Sequence, residues 1–260
     1  MTPELGLPGK TATALSLTAI GGFVDAVGYI ALFQIFTANM SGNSVHIGMY
    51  LGQHSFMELL RPFSAVLSYV VGLALTRIAV EIAAREGMKR IASVSFAVEA
   101  ALLALFAHAQ PAMHLGQIVD QHSAQYFAMV AWLSFAMGVQ TATLTQVGAL
   151  TVSTTFVTGT LTRLTESLTR VLFWVWDQAR ESGVSHVVGS IFRQPDVRDT
   201  AILGSIWLCY VLGAALGTLL KSAWGLAALY VPVAVLALFI VIDQLHPLAV
   251  QEERRQTKAG

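Results

Sequence analysis

Two short segments of small, hydroxyl and amide residues interrupt an otherwise apolar chain, and they are where this sequence has the means to bind or react. The first, Phe36 to Gly48, reads FTANMSGNSVHIG; the second, Ser153 to Arg163, reads STTFVTGTLTR. Each follows a complete apolar run, sets a glycine among polar side chains, and then resumes a helix-compatible pattern. Thr37, Ser41 and Asn43 are good helix N-caps, so a short second helix can start there with free backbone N–H groups at its tip. Such tips bind anions, because the amides and the helix dipole face the same ligand. Thr37, Asn39, Ser41, Gly42 and Asn43, with Thr155, Thr158 and Gly159 in the second segment, are therefore candidate solute ligands. The alternative is an ordinary interfacial turn that caps a surface helix.

Ionisable and polar groups inside the apolar runs add to this set. Asp25 lies about a dozen residues into the first run, where a lone carboxylate at bilayer depth costs about 2.5 to 3.5 kcal/mol. It must face the bundle interior, as a solute ligand, a proton carrier, or a neutral acid bonded to a neighbouring helix. Glu99 sits among alanines and valines in the third run and is the other proton-coupling candidate. The fourth run carries Gln140, Thr141, Thr143, Thr145 and Gln146; Gln140 and Thr143, and Thr141 and Thr145, share a helix face. Gln140 and Thr141 are candidate solute ligands, and interhelical hydrogen bonding is the plainer alternative.

Other chemistries lack residues. The single cysteine, Cys209, excludes an intramolecular disulfide and a cysteine metal site. None of the seven histidines stands at a ligand spacing with acids, so no metal and no cofactor is expected. Ser41-Gly42 has the Ser-Gly of membrane proteases without a histidine partner in an equivalent run, so the chain is not expected to be an enzyme. No nucleic-acid motif is present, and fifteen basic and fifteen acidic residues cancel, so no net field attracts nucleic acid.

The elements that must position these groups are set by the solvent. With 55% hydrophobic and 12% charged residues and a mean hydropathy of +0.65, the 260-residue chain is suited to lipid. A spanning helix needs about 20 apolar residues, and about six stretches qualify: Ala14 to Phe36, Phe63 to Ile82, Ile91 to His108, Tyr126 to Val147, Ala201 to Leu220 and Ala223 to Ile242. The opening residues lack a signal-peptide cleavage site, so the first run is expected to be a retained membrane helix. Arg77, Arg85, Lys89 and Arg90 after the second run, the arginines after the fourth, and Arg254, Arg255 and Lys258 in the tail place both termini on the cytoplasmic side of the inner membrane.

An internal repeat organises the runs. LSYVVGLAL at Leu67 to Leu75 matches LCYVLGAAL at Leu208 to Leu216 at six of nine positions. GFVDA at Gly22 aligns with GVQTA at Gly138, and TANMSGN at Thr37 aligns with TTFVTGT at Thr154, in the same order in both halves. Three spans per copy is an odd number, which predicts an inverted repeat of the kind found in secondary transporters. The expected fold is thus one all-α membrane domain over 1–260: a polytopic bundle of about six spans in two inverted three-helix repeats, about 14–110 and about 126–245, with broken helix ends. A cytoplasmic insert at about 177–199 reads as a surface loop. Gly72 with Thr76, and Gly213 with Gly217, allow close helix approach, so the second and fifth runs are expected to pack against each other or across a homo-oligomer.

The stretch GGFVDAVGYIALFQIFTANMSGN, Gly21 to Asn43, resembles the opening signature of the YoaK-like membrane proteins, a bacterial family of unknown function known as DUF1275. The features that match are Gly22, Asp25, Gly28, Phe36, Asn39, Met40, Ser41, Gly42 and Asn43. The LSYVVGLAL and LCYVLGAAL segments also fit, while the 177–199 insert is long for the family. The resemblance implies membrane residence and no established activity. Beyond the bilayer, the partner expected is a small solute moved by alternating access. The rival is a scaffolding protein that assembles through its small-residue faces without transporting.

Overall fold

The computed structural model describes residues 7–86, 88, 91–109, 120–143, 146–147, 150–151, 157–182, 190–191 and 194–245. Among them the chain forms helices α1 (Leu7–Ala31), α2 (Met40–Gly52), α3 (Phe56–Arg85), α4 (Ile91–Ala109), α5 (Ala124–Thr143), α6 (Val157–Ser182), α7 (Pro195–Trp224) and α8 (Tyr230–Leu245). A 3₁₀ turn, Gly225–Leu229, joins α7 to α8, and a two-residue antiparallel ladder pairs β1 (Gln146–Val147) with β2 (Leu150–Thr151). Four segments are long and apolar enough to cross a membrane by length and composition: Thr11–Ala31, Phe56–Ala83, Ala92–Ala109 and Pro195–Leu245. The last, of 51 residues, contains both α7 and α8.

Several expected boundaries move. The first helix stops at Ala31 rather than Phe36, because Phe33 and Gln34 adopt left-handed backbone with φ of 50° and 68° and turn the chain back. The fourth run leaves the helix at Thr143 rather than Val147. The stretch expected as a surface loop at 177–199 is partly helix: Asp177–Ser182 close α6, and Pro195 opens α7 at a position where proline needs no N–H partner. α5 falls outside the four apolar segments for a physical reason. It is the most enclosed long helix, with Tyr126, Leu133, Ala136 and Met137 fully buried, so it can carry Ser134, Gln140 and Thr143 against protein rather than lipid.

The helices pack in pairs: α1 on α7, α3 on α5 and α4 on α8, with α2 laid on α3 and α6 on α7. α1 and α7 run parallel, since Ala19 faces Gly213 and Phe23 faces Gly217. A Cβ on Gly22 would overlap the Tyr210 carbonyl, and one on Gly213 the Ala19 carbonyl. The α3–α5 crossing is built the same way, with Gly138 against the Tyr69 carbonyl and Gly72 against the Phe135 carbonyl. Backbone contact this close is how apolar helices adhere where lipid offers no hydrophobic contrast. Gly72, Gly213 and Gly217 therefore serve contacts within the chain, and α3 and α7 meet α5 and α1 instead of each other. α4 and α8 are antiparallel, joined by Phe96 against Phe239 and by Ser93, whose N–H and hydroxyl both donate to Asp243 Oδ2.

Candidate functional site

A loop folded back onto Asp25 is the most polar structure inside the bundle. Asp25 lies six residues before Ala31, the end of α1, which at about 1.5 Å per residue sets it about 9 Å below that end. Its carboxylate is 3% exposed and accepts the backbone N–H groups of Thr37 and Ala38 on Oδ1, at 2.7 and 2.8 Å, and that of Asn39 on Oδ2, at 3.2 Å. The Thr37 hydroxyl adds a bond to Oδ1 at 3.3 Å, and Tyr210 of α7 donates to Oδ2 at 2.7 Å. Those amides belong to the turn just before α2, whose N-cap is Asn39 and whose first residue is Met40. The backbone donors at this break are thus taken up by the chain's own Asp25.

The rest of the loop is fixed by its own residues. Asn43, fully buried, accepts the Phe36 N–H through Oδ1 at 3.1 Å and donates Nδ2 to the Phe36 carbonyl at 2.7 Å. Gly42 lies beneath the Phe36 ring and Gly28 beneath Thr37, where a Cβ would collide. Asn39 and Ser41 bond to each other, Ser41 Oγ to Asn39 Oδ1 at 2.6 Å, and Ser41 is exposed. α2, 13 residues long, then climbs about 20 Å from the level of Asp25 to the start of α3. Arg61, in the second turn of α3, reaches back to the Phe33 carbonyl just past α1 at 3.0 Å. The segment from Leu32 to Ser55 thus enters and leaves at one end of the bundle.

Thr141 of α5, aligned with Asp25 by sequence, accepts from the Tyr69 hydroxyl at 2.9 Å, as Asp25 accepts from Tyr210. Gln140, buried, donates Nε2 to the Leu17 carbonyl at 2.5 Å, while its Oε1 has no partner. Leu17 is eight residues below Asp25, about 12 Å along the axis, so Gln140 sits at a different level from the Asp25 loop. Thr158 and Gly159 occupy the first turn of α6; Thr155 lies outside the described residues.

Glu99 is the least supported polar group in the core. It is 0% exposed, and neither carboxyl oxygen has a hydrogen-bond partner among the described residues. Burying an unpaired acid costs several kcal/mol even when it is neutral, so packing alone gives no reason for glutamate here. Arg61, Tyr126, Tyr210 and Asp243 were not singled out by sequence reading. Arg61 is 8% exposed although it lies at the edge of an apolar run, and Asp243 is fully buried one residue past the expected end of the last run.

With this geometry in view, the profile of the family described as "Protein of unknown function (DUF1275)" matches residues 13–242. The chain belongs to the DUF1275 family. A similar curated relative is the UPF0700 transmembrane protein YoaK of Bacillus subtilis (strain 168), 25% identical over 225 residues, which covers 86% of this chain and 90% of the relative. No solved structure matches. The DUF1275 protein is accordingly a membrane protein, in keeping with its apolar helices. The Gly22–Asn43 stretch forms one construction: Gly22 admits α7, Asp25 holds the turn before α2, Gly28 and Gly42 make room for Thr37 and Phe36, and Asn43 pins Phe36.

Proposed function

We propose that this DUF1275 protein is a proton-linked permease for a small polar solute in the plasma membrane, with six spans in two inverted repeats and both termini cytoplasmic. The observation that carries the reading is Glu99, a buried carboxyl without a partner in a membrane bundle. An ionisable group kept at such cost inside a membrane protein is a functional candidate by default. Asp25 is committed to the loop by three backbone N–H bonds and the Tyr210 phenol, so of the two candidate acids the proton role is given to Glu99. The solute belongs to the second half, where Thr141 replaces the capping carboxylate, Gln140 Oε1 awaits a donor, and Thr158 and Gly159 open α6.

The two matched crossings support the inverted repeat. Gly22 on Tyr210 and Gly213 on Ala19 pair position by position with Gly138 on Tyr69 and Gly72 on Phe135, and in each crossing one helix comes from either half. Such an exchange lets two helix pairs rock against each other about a central axis. The scaffold reading rested on small-residue faces, and those faces are occupied within the chain.

Reconstitution tests the proposal. Liposomes holding the purified protein and a pH-sensitive dye, challenged with a panel of small carboxylates, sugars and polar amides, should show internal pH changes with at least one solute. Glu99→Gln should abolish them. A folded protein that moves no proton with any panel member, or Glu99→Gln with unchanged flux, rejects the reading.

A further inference from the structure

At the end of the bundle where α1 stops and α3 and α5 begin, one buried guanidinium ties all three helices together. Arg61 of α3 donates NH2 to the Phe33 carbonyl at 3.0 Å, Nε to the Tyr126 hydroxyl of α5 at 3.4 Å, and NH1 to Glu58 Oε2 at 2.5 Å. Its guanidinium carbon lies 5.6 Å from the centre of the Tyr126 ring. Tyr126 in turn donates to the Leu32 carbonyl at 2.9 Å, so the two last carbonyls of the α1 exit are both held. Glu58 carries the tie outward: its Oε1 is 3.2 Å from His122 Nε2, and His122 Nδ1 is 3.7 Å from Asp120 Oδ1.

We infer that this Arg61 clasp is the gate that closes the Leu32–Asn39 side of the permease, and that the structure holds it shut. The inference rests on the transport reading, and three observations favour a gate over a packing device. The clasp joins α1, of one parallel pair, to α3 and α5, of the other, so it spans the seam along which the pairs would separate. It is made of charge and hydroxyl groups that water can satisfy once parted, unlike the glycine contacts inside each pair. Its arginine also has no counterpart in the aligned sequence, where the residue matched to Arg61 through Tyr69 and Tyr210 is Ile202. There the seam between α1 and α5 is tied by Gln140 to the Leu17 carbonyl. A contact required by the repeat's packing would occur twice; this one marks a single face. The left-handed Phe33 and Gln34 fit the same role, since they are a strained turn whose carbonyl the clasp holds and whose release would relax it.

The test reads exposure beneath the clasp and needs no substrate. In full-length protein in nanodiscs, with Cys209→Ser as background, Ala38→Cys places a thiol at a position only 3% exposed. Its rate of reaction with a charged, water-soluble thiosulfonate should rise about tenfold or more when Arg61→Gln removes the charged bonds, and by a smaller factor in Tyr126→Phe, in line with losing fewer bonds. Gln140→Ala, at the opposite seam, should leave the Ala38→Cys rate within about twofold. Thermal melts of each variant establish that the fold persists, and Tyr126→Phe serves if Arg61→Gln does not fold. Unchanged labelling in folded Arg61→Gln or Tyr126→Phe overturns the gate, as does an equal rise in Gln140→Ala. Raised labelling with no solute-driven proton flux would keep the clasp as a gate while rejecting the transport reading.

Discussion

Tyr210 and Asp25 are joined by a 2.7 Å hydrogen bond from the phenol to the carboxylate, and Tyr69 and Thr141, their aligned positions, by one of 2.9 Å. The two tyrosines, aligned by sequence, make the same kind of contact to different acceptors. Asp25 also accepts three backbone amides of the turn before α2, so this one acid ties α1, that turn and α7 together.

Asp25→Asn should therefore destabilise strongly. The amide offers one acceptor oxygen and turns an NH2 toward groups that all donate, which leaves buried N–H groups unpaired at about 1 to 3 kcal/mol each. Tyr210→Phe removes only one donor and should cost about 1 kcal/mol. Thermal unfolding of both variants in detergent checks the order; an Asp25→Asn protein as stable as the parent would show that the carboxylate does not hold the loop.

Asn43→Ala and Ser41→Ala separate the buried from the exposed part of the signature. Asn43 makes two bonds to the Phe36 backbone from a fully buried site, whereas Ser41 is exposed and bonds only Asn39. The first substitution should cost about 2 to 4 kcal/mol and the second less than about 1. Equal melting temperatures for the two would contradict the loop geometry.

Glycine substitutions should divide by contact. Gly22→Ala and Gly138→Ala place a methyl against the Tyr210 and Tyr69 carbonyls and should lower the yield of folded protein sharply. Gly48→Ala, in α2, meets nothing within 4 Å and should be neutral or stabilise by about 0.5 to 1 kcal/mol. Size-exclusion profiles of the three proteins read the difference directly.

Glu99→Met should raise stability while ending any proton flux. It replaces an unpaired buried acid with an apolar side chain of similar length, removing a desolvation cost of about 1 to 3 kcal/mol. A lower melting temperature would mean that Glu99 has a structural partner.

Much of this architecture is written in the residues. Runs of bilayer length located α1, α3, α4, α7 and α8, and the paired LSYVVGLAL and LCYVLGAAL segments marked glycines of close approach but not their partners, which are α5 and α1 rather than each other. The break after the first run was legible because Thr37, Ser41 and Asn43 favour caps over helix, although the N-cap is Asn39 and its side chain makes no capping bond. Its occupant was not: Asp25 lies twelve residues before Thr37, and nothing in local spacing says that the loop returns to it. Arg61 was hidden for a similar reason, since a charge at the edge of an apolar run reads as an interfacial residue until Phe33 and Tyr126 converge on it. α5 looked like a lipid-spanning run although its polar ladder faces protein on several sides.

The central claim is that the Phe36–Asn43 segment returns into the membrane rather than lying at its surface. Spin labels placed singly at Ser41, at Gln53 beyond α2, and at Ile30 near the end of α1, in lipid bilayers, report depth through relaxation by dissolved oxygen against a water-soluble nickel chelate. Ser41 should read deeper than both Gln53 and Ile30, by about 5 to 10 Å relative to Ile30. A label at Ser41 that reads as shallow as the one at Gln53 would contradict the account.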